Sequence, residues 1–348
     1  MFAPDFALEH TLDYRYKRNS TRGGRESGRL VSLPGGCTLL KLLSVIICTR
    51  SPRAEYLTRV LKALRSQKLP LDQWELLFVD NASREPLASK WNLSWHPHAR
   101  HIREDQVGLA FARQRGMREA SADLFLFVDD DNLLAPNYLS EALRIGQEWP
   151  RLGVWGGTMV PEFEIEPPPH LLPYLPIRQA KEPRWSNIAT CSDAMPCGAG
   201  MCVRATVGAA DQRYFERSRI QLTDRSGDDL LSGGDTEIAY VACKVGLGIG
   251  IFPNLSLTHL LPRERINETY VLRLTEGIHA SFALLAFKWQ GVTPSSPLFG
   301  IGLLRSIANT MSRKKFERRV YLAQLRGILR ARSIIVASAR LETQPRLE

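Results

Sequence analysis

A chain of 348 residues that is 44% apolar, 24% charged and 8% aromatic has the make-up of a folded protein of one large domain or two ordinary ones, which excludes a wholly disordered chain. Six irregularly spaced Cys exclude a disulfide-stapled scaffold, and no uncharged apolar run reaches the ~18–20 residues of a bilayer span. The net charge of +10 divides into +2 over residues 1–40, zero over 41–300, +9 over 301–340 and −1 over 341–348, so the body lacks the spread basic face of a nucleic-acid binder.

Residues 1–40 carry no apolar leader block and read as a loose polar arm, flexible and outside the fold. Without a leader the chain is expected in the cytoplasm, with its thiols reduced. The first strong element is Leu42–Cys48, a continuous apolar and β-branched run, as expected of a strand buried on both faces. A polar turn, Thr49–Arg53, leads to a helical pattern over Tyr56–Gln67 with Leu57, Val60, Leu61 and Leu64 on one face. Trp74–Val79 repeats the buried-strand pattern and ends at Asp80-Asn81-Ala82-Ser83. A short strand near Ala99–Arg103 precedes a helix opening at Gly108, and Leu124–Val128 is a third buried strand, ending at Asp129-Asp130-Asp131. This alternation predicts right-handed βαβ units and a mostly parallel sheet, an α/β fold.

The middle of the chain changes character. Pro161–Pro183 reads as a rigid extended loop, and short strands are expected at Gly156–Val160 and Gly200–Arg204. A Gly- and Asp-rich loop over 223–229 precedes a helix capped at Ser232 or Gly233, with Asp235 and Glu237 in its first turn and Gly246 at its end. A strand at Ile249–Pro253, a segment at Ser256–Leu261, and helices over 266–290 and about 296–340 complete the reading.

Three of these strands end in polar clusters, at Thr49-Arg50, Asp80-Asn81 and Asp129-Asp130-Asp131. In an open α/β sheet that edge is where ligands bind. Successive carboxylates there repel one another unless a cation is present, and hard oxygen ligands select Mg²⁺, Mn²⁺ or Ca²⁺, bridged to a substrate's phosphates. A solvated acidic turn is the competing reading.

Leu42–Arg50, Phe78–Ser83, Gly108–Arg113, Phe127–Asp131 and Gly233–Glu237 occur in the order seen in bacterial-type family 2 glycosyltransferases, and the resemblance covers about residues 42–290. It implies a GT-A fold: a Rossmann-like nucleotide-binding half (41–135) fused to an acceptor-binding half (136–290), followed here by a basic helical extension (291–348). It implies a hexosyltransferase-type activity. A sugar would pass, with inversion, from a nucleotide-diphosphate sugar, first of all a UDP-sugar, to an acceptor hydroxyl in cell-surface polysaccharide, glycolipid or related glycoconjugate synthesis. Mn²⁺ or Mg²⁺ would serve as cofactor.

The resemblance also assigns residues. Thr49, Arg50 and Asp80 correspond to the pocket for base and ribose. Arg113 lies near the donor, as do Asp129 and Asp130 of the DXD segment. Asp131 would bind the metal, with the late His259 completing its shell, and Arg263 or Arg265 would meet the diphosphate. Asp235 corresponds to the base that takes the acceptor proton. Many relatives carry an acid immediately before that Asp, and this chain has Gly234 there. Asp80 also reads as a turn residue, Arg113 as an exposed helical Arg, and His259 as a His satisfied within the fold.

The tail interleaves Phe316, Val320 and Leu325 with Arg and Lys. Such a helix packs on the body, or touches an anionic membrane surface peripherally through 301–340, on the inner face. Two further readings stand beside glycosyl transfer: a nucleotidyltransferase, although the loop after the first strand lacks glycine, and a basic module binding RNA or acidic lipid through the tail.

Overall fold

The computed structural model describes residues 41–225, 229–295 and 313–343; the expected arm over 1–40 and the stretch 296–312 lie outside it. Strand β1 (Leu43–Thr49) is buried along its whole length. Because side chains alternate, Val45 and Ile47 enter one core and Ile46 and Cys48 the other. It pairs in parallel with β2 (Trp74–Asn81) and with β4 (Leu124–Val128), and β2 pairs in parallel with β3 (Ala99–Glu104).

Helices α1 (Ala54–Arg65) and α3 (Tyr138–Glu148) bury their apolar stripes against one face. Helices α2 (Leu109–Glu119), α4 (Ala205–Arg217) and α5 (Gly234–Lys244) cover the other. Apolar runs on both faces of the strands require this double cover. Within the second core, Asp211 of α4 is buried, accepts a hydrogen bond from Gln114 at 2.6 Å, and is pushed up to about 7, first by burial and then by Glu237.

Beyond β4 the sheet becomes mixed. Strand β8 (Cys202–Arg204) runs antiparallel to β4 and to β6 (Leu152–Phe163), and β6 runs parallel to β9 (Gly248–Leu261). Two short antiparallel strands, β5 (Asn132–Leu134) and β7 (Arg184–Ser186), join β9. The expected strand and segment over 249–261 are one strand, because a register shift opposite Gly157 and Thr158 carries the chain past Pro253 without ending it. The proline-rich stretch is less extended than expected: Leu171 and Leu175 are buried around a single turn at Leu172–Tyr174.

Helix α6 (Glu268–Gln290) starts at Asn267, whose side chain accepts from the Tyr270 N–H at 2.9 Å. Helix α7 (Lys315–Thr343) lies on α6. Val320, Ala323, Ala331 and Ile335 are buried, each larger side chain contributing about 1.5–3 kcal/mol. Arg326 meets Glu276 at 2.8 Å, Arg330 meets Asp229 at 2.6 Å, and Arg319 meets Glu268. The basic tail is thus drawn onto acids of the body over its described part. No helix among the described residues is long and apolar enough to cross a membrane.

Candidate active site

Strand register gathers the polar strand ends at one edge. Thr49 stands opposite Asp80, and Ile47 opposite Val128, which leads into Asp129. The Thr49 hydroxyl donates to Asp130, tying the end of β1 to the acidic turn. Burial pushes the Asp130 carboxyl up to about 7, and the charge of Asp131 adds to this. A cleft of about 370 Å³ opens here, lined by Arg50, Arg53, Tyr56, Asp130, Asp131 and Arg265, among others. Cationic side chains beside carboxylates suit a ligand that is itself anionic and shares a cation.

Asp131 is buried and shared among three partners. Its Oδ1 accepts from Asn132 at 2.9 Å, its Oδ2 from Arg265 at 2.8 Å, and His259 Nε2 lies 3.5 Å from Oδ2. Burial opposes its ionisation, but the neighbouring His259 and Arg265 outweigh that and hold its carboxyl well below the usual range. His259 Nδ1 is buried with no hydrogen-bond partner, while Nε2 is turned to Asp131 Oδ2. A carboxylate oxygen and an imidazole nitrogen facing each other fit two positions of a cation's shell. Among the described residues no group of three or more His, Cys, Asp or Glu side chains stands so placed that it could hold a metal ion.

A second cluster adjoins the first through Asp129. Arg113 of α2 is buried under the sheet edge, with its guanidinium 5.6 Å from the Phe127 ring centroid. It lies 3.2 Å from Asp224 and 3.8 Å from Asp129, which keeps a third of its side-chain surface open. Asp129 is pushed up by burial, against the pull of Arg113. Asp235 opens the first turn of α5. Its Oδ2 accepts the Gly198 N–H at 2.7 Å and its Oδ1 the Thr236 N–H at 2.7 Å. These bonds, with the Thr236 hydroxyl donating to Oδ1 at 3.4 Å, fix the carboxylate plane and leave Oδ2 a free lone pair. Gly198 is required: a Cβ there would meet Arg113 at 2.4 Å and the Asp235 Cβ at 3.4 Å.

Asp80 sits at the same edge, but its hydrogen bonds shape its own loop. Its Oδ1 accepts from the Ser83 N–H at 3.0 Å, and its Oδ2 from Leu87 at 3.1 Å and Arg103 at 2.7 Å. Burial raises its carboxyl, but these donors outweigh that and lower it. Its neighbour Asn81 accepts from Gly108 N–H at 2.9 Å, joining β2 to the start of α2. Arg50 is exposed at the cleft.

Sequence reasoning missed Asp224, which is buried between Arg113 and the start of α5. An Asp in a Gly- and Asp-rich loop is indistinguishable from ordinary turn chemistry. The available hint was Gly234, whose missing side chain leaves the space that Asp224 fills: a Cβ there would meet Asp224 Oδ2 at 2.4 Å. Arg225 was also missed; it is exposed on the same loop and close enough to favour ionisation of Asp129 and Asp131.

Residues 44–205 match the family model described as Glycosyl transferase family 2. Validoxylamine A glucosyltransferase of Streptomyces hygroscopicus subsp. jinggangensis (strain 5008) is 32% identical over 115 residues, which are 32% of this chain and 27% of that protein. The chain therefore spans little more than a quarter of that relative's length. Among solved structures, S. aureus TarS 1–349 is similar at a TM-score of 0.48 with 13% identity, over 88% of this chain and 94% of that one. Mannosyltransferase PcManGT from Pyrobaculum calidifontis, in complex with GDP-Man and Mn²⁺, is similar at a TM-score of 0.49 with 18% identity, over 87% of this chain and 76% of that one.

Proposed function

We propose, from the match of residues 44–205 to the family model described as Glycosyl transferase family 2, that the chain transfers a sugar, with inversion, from a nucleotide-diphosphate sugar to an acceptor hydroxyl. The observation that carries this reading is the joining of two clusters by the Asp129–Asp131 turn: a cation-lined cleft on one side, and Asp235 beside Arg113 on the other.

In this reading the diphosphate of the donor, a UDP-sugar first of all, lies in the cleft against Arg265, and Thr49, Arg50 and Asp80 shape the nucleotide end. Arg113, Asp129 and Asp130 hold the sugar side. The acceptor oxygen attacks the anomeric carbon, the bond from that carbon to the diphosphate oxygen breaks, and Asp235 takes the hydroxyl proton. The two backbone N–H bonds to Asp235 hold it in place for this step. Asp131 and His259 would hold Mn²⁺ or Mg²⁺. When bound, the metal would neutralise charge on the leaving diphosphate. We place the reaction in the cytoplasm and assign it to cell-surface polysaccharide, glycolipid or related glycoconjugate synthesis. Peripheral contact with an anionic inner membrane face through α7 is supported by Leu322, exposed one turn from Arg318, and by the exposed Val336 further along the helix.

The test is a thermal-shift panel of UDP, GDP, CDP and ADP with and without Mn²⁺. Metal-dependent stabilisation by one of them names the donor class. No stabilisation by any of them, with or without metal, counts against the reading.

A further inference from the structure

We propose that Asp224 is a positioning residue for the transfer step: one carboxylate, reaching in from a loop, fixes both the helix that carries Asp235 and the arginine that faces the donor. The proposal rests on the sugar-transfer reading above. Asp224 is 3% exposed in side-chain terms and cannot reach solvent. Its Oδ1 accepts the Gly234 N–H at 3.0 Å, and its Oδ2 accepts from Arg113 Nη1 at 3.2 Å.

Each contact answers a local need. Helix α5 begins behind Gly233, which holds φ +111 and has no side chain with which to cap the first N–H groups. Asp224 supplies that cap from ten residues upstream, with a negative charge that suits a helix N-terminus. Arg113 is buried and needs a full counter-charge, and Asp129 at 3.8 Å is too far to hydrogen-bond it.

The fit is reciprocal. Gly234 has no Cβ, and the Asp224 carboxylate occupies the room one would take. Asp224 itself sits at φ +50, so its loop is bent into the left-handed region to deliver the carboxylate. The preceding residue anchors the loop: Thr223 O accepts from the Ala110 N–H at 3.1 Å, at the start of α2. Residues 222–224 therefore clamp the helix bearing Arg113 to the helix bearing Asp235. With Asp224 gone, the acids nearest Arg113 are Asp129 and Asp235. A guanidinium that turns to Asp235 occupies the lone pair that must receive the acceptor proton.

The experiment uses the full chain and four variants: Asp224→Asn, Asp224→Gly, Gly234→Asp, and Asp224→Gly with Gly234→Asp. Asn and Gly both tolerate the left-handed backbone, so neither strains the loop. Release of nucleoside diphosphate from UDP-glucose, UDP-GlcNAc and GDP-mannose is followed with Mn²⁺, beside the melting temperature. We expect kcat to fall about thirtyfold or more in the three single variants, with KM for the nucleotide sugar changed by less than about threefold. The double variant returns a carboxylate to the same space from the other side, and we expect it to recover kcat to within about fivefold of wild type. Unchanged kcat in Asp224→Gly, or a double variant as slow as the singles, overturns the proposal. Wild-type chain that turns over none of the three sugars defeats the transfer reading instead. The melting temperatures then still judge the clamp: loss in the singles with recovery in the double supports it, and four equal values overturn it.

Discussion

Asp131 and His259 face each other at 3.5 Å because a three-residue antiparallel strand pair sets them there: Asn132 is registered opposite His259, and the Leu260 N–H donates to the Asp131 carbonyl at 2.9 Å. The pairing of β5 with β9 thus brings the end of the acidic turn against a residue from the far end of the domain. Arg265, just beyond the same strand, supplies the positive charge beside the carboxylate.

Asp131→Asn keeps an oxygen for one neighbour and removes the charge that a cation needs. Binding of UDP in the presence of Mn²⁺ should weaken at least about tenfold, and binding without metal should change little. Titration calorimetry with and without Mn²⁺ checks this. An equal loss in both series would assign Asp131 to the fold and not to the cation.

Asp235→Asn keeps an acceptor at one oxygen and removes the base. Transfer should fall on the order of 10²–10⁴-fold while nucleotide binding stays within about twofold of wild type. Steady-state kinetics and the same titration separate the two effects. Wild-type turnover by this variant would withdraw the base assignment.

Gly198→Ala places a methyl 2.4 Å from an Arg113 nitrogen. Arg113 is packed between Phe127, Asp129 and Asp224 and cannot retreat cheaply. The expected result is loss of about 1–3 kcal/mol of stability together with reduced turnover. Urea denaturation and activity measured on the same preparation check both.

Asp211 gives a pH dependence of known sign. Its folded-state pKa is raised from 3.8 to about 7, first by burial. A raised carboxyl contributes stability that is full below pH 4 and is lost as the pH climbs through 7. Asp211→Asn should therefore match wild type near pH 4, and should be more stable than wild type at pH 8, by about 1–3 kcal/mol. Thermal melts across pH 4–8 decide it, and parallel curves would show that Asp211 does not titrate in this window.

Leu322→Asp with Val336→Asp alters only side chains that α7 leaves exposed. If α7 touches a membrane, flotation of the full chain with vesicles containing anionic lipid should drop severalfold in this variant, with melting temperature unchanged. Equal flotation removes the membrane contact.

Much of the first half was legible because a strand buried on both faces writes a continuous apolar run. Leu124–Val128 was placed to the residue, and Leu43–Thr49 and Trp74–Asn81 to within one or two. Helices α3 and α4 were not read, although α3 buries Tyr138, Leu139, Ala142 and Ile145 at helical spacing. The antiparallel and mixed half was harder still. Strands of three residues such as β5 and β7 are too short to show a period, and they exist because a longer neighbour offers them an edge, whereas β8 falls within the strand expected at Gly200–Arg204.

The candidate site divides along the same line. Local sequence determined that Thr49, Asp80 and Asp129–Asp131 stand at strand ends and that Asp235 opens a helix, because apolar runs and helix starts are decided within a few residues. Only the tertiary structure decided that Asp80 spends its hydrogen bonds on its own loop, that Arg265 turns to Asp131, and that Asp224 fills the space left by Gly234. Those are matters of which charges and which voids come within about 3 Å after the sheet has closed, and no short window of sequence contains that information.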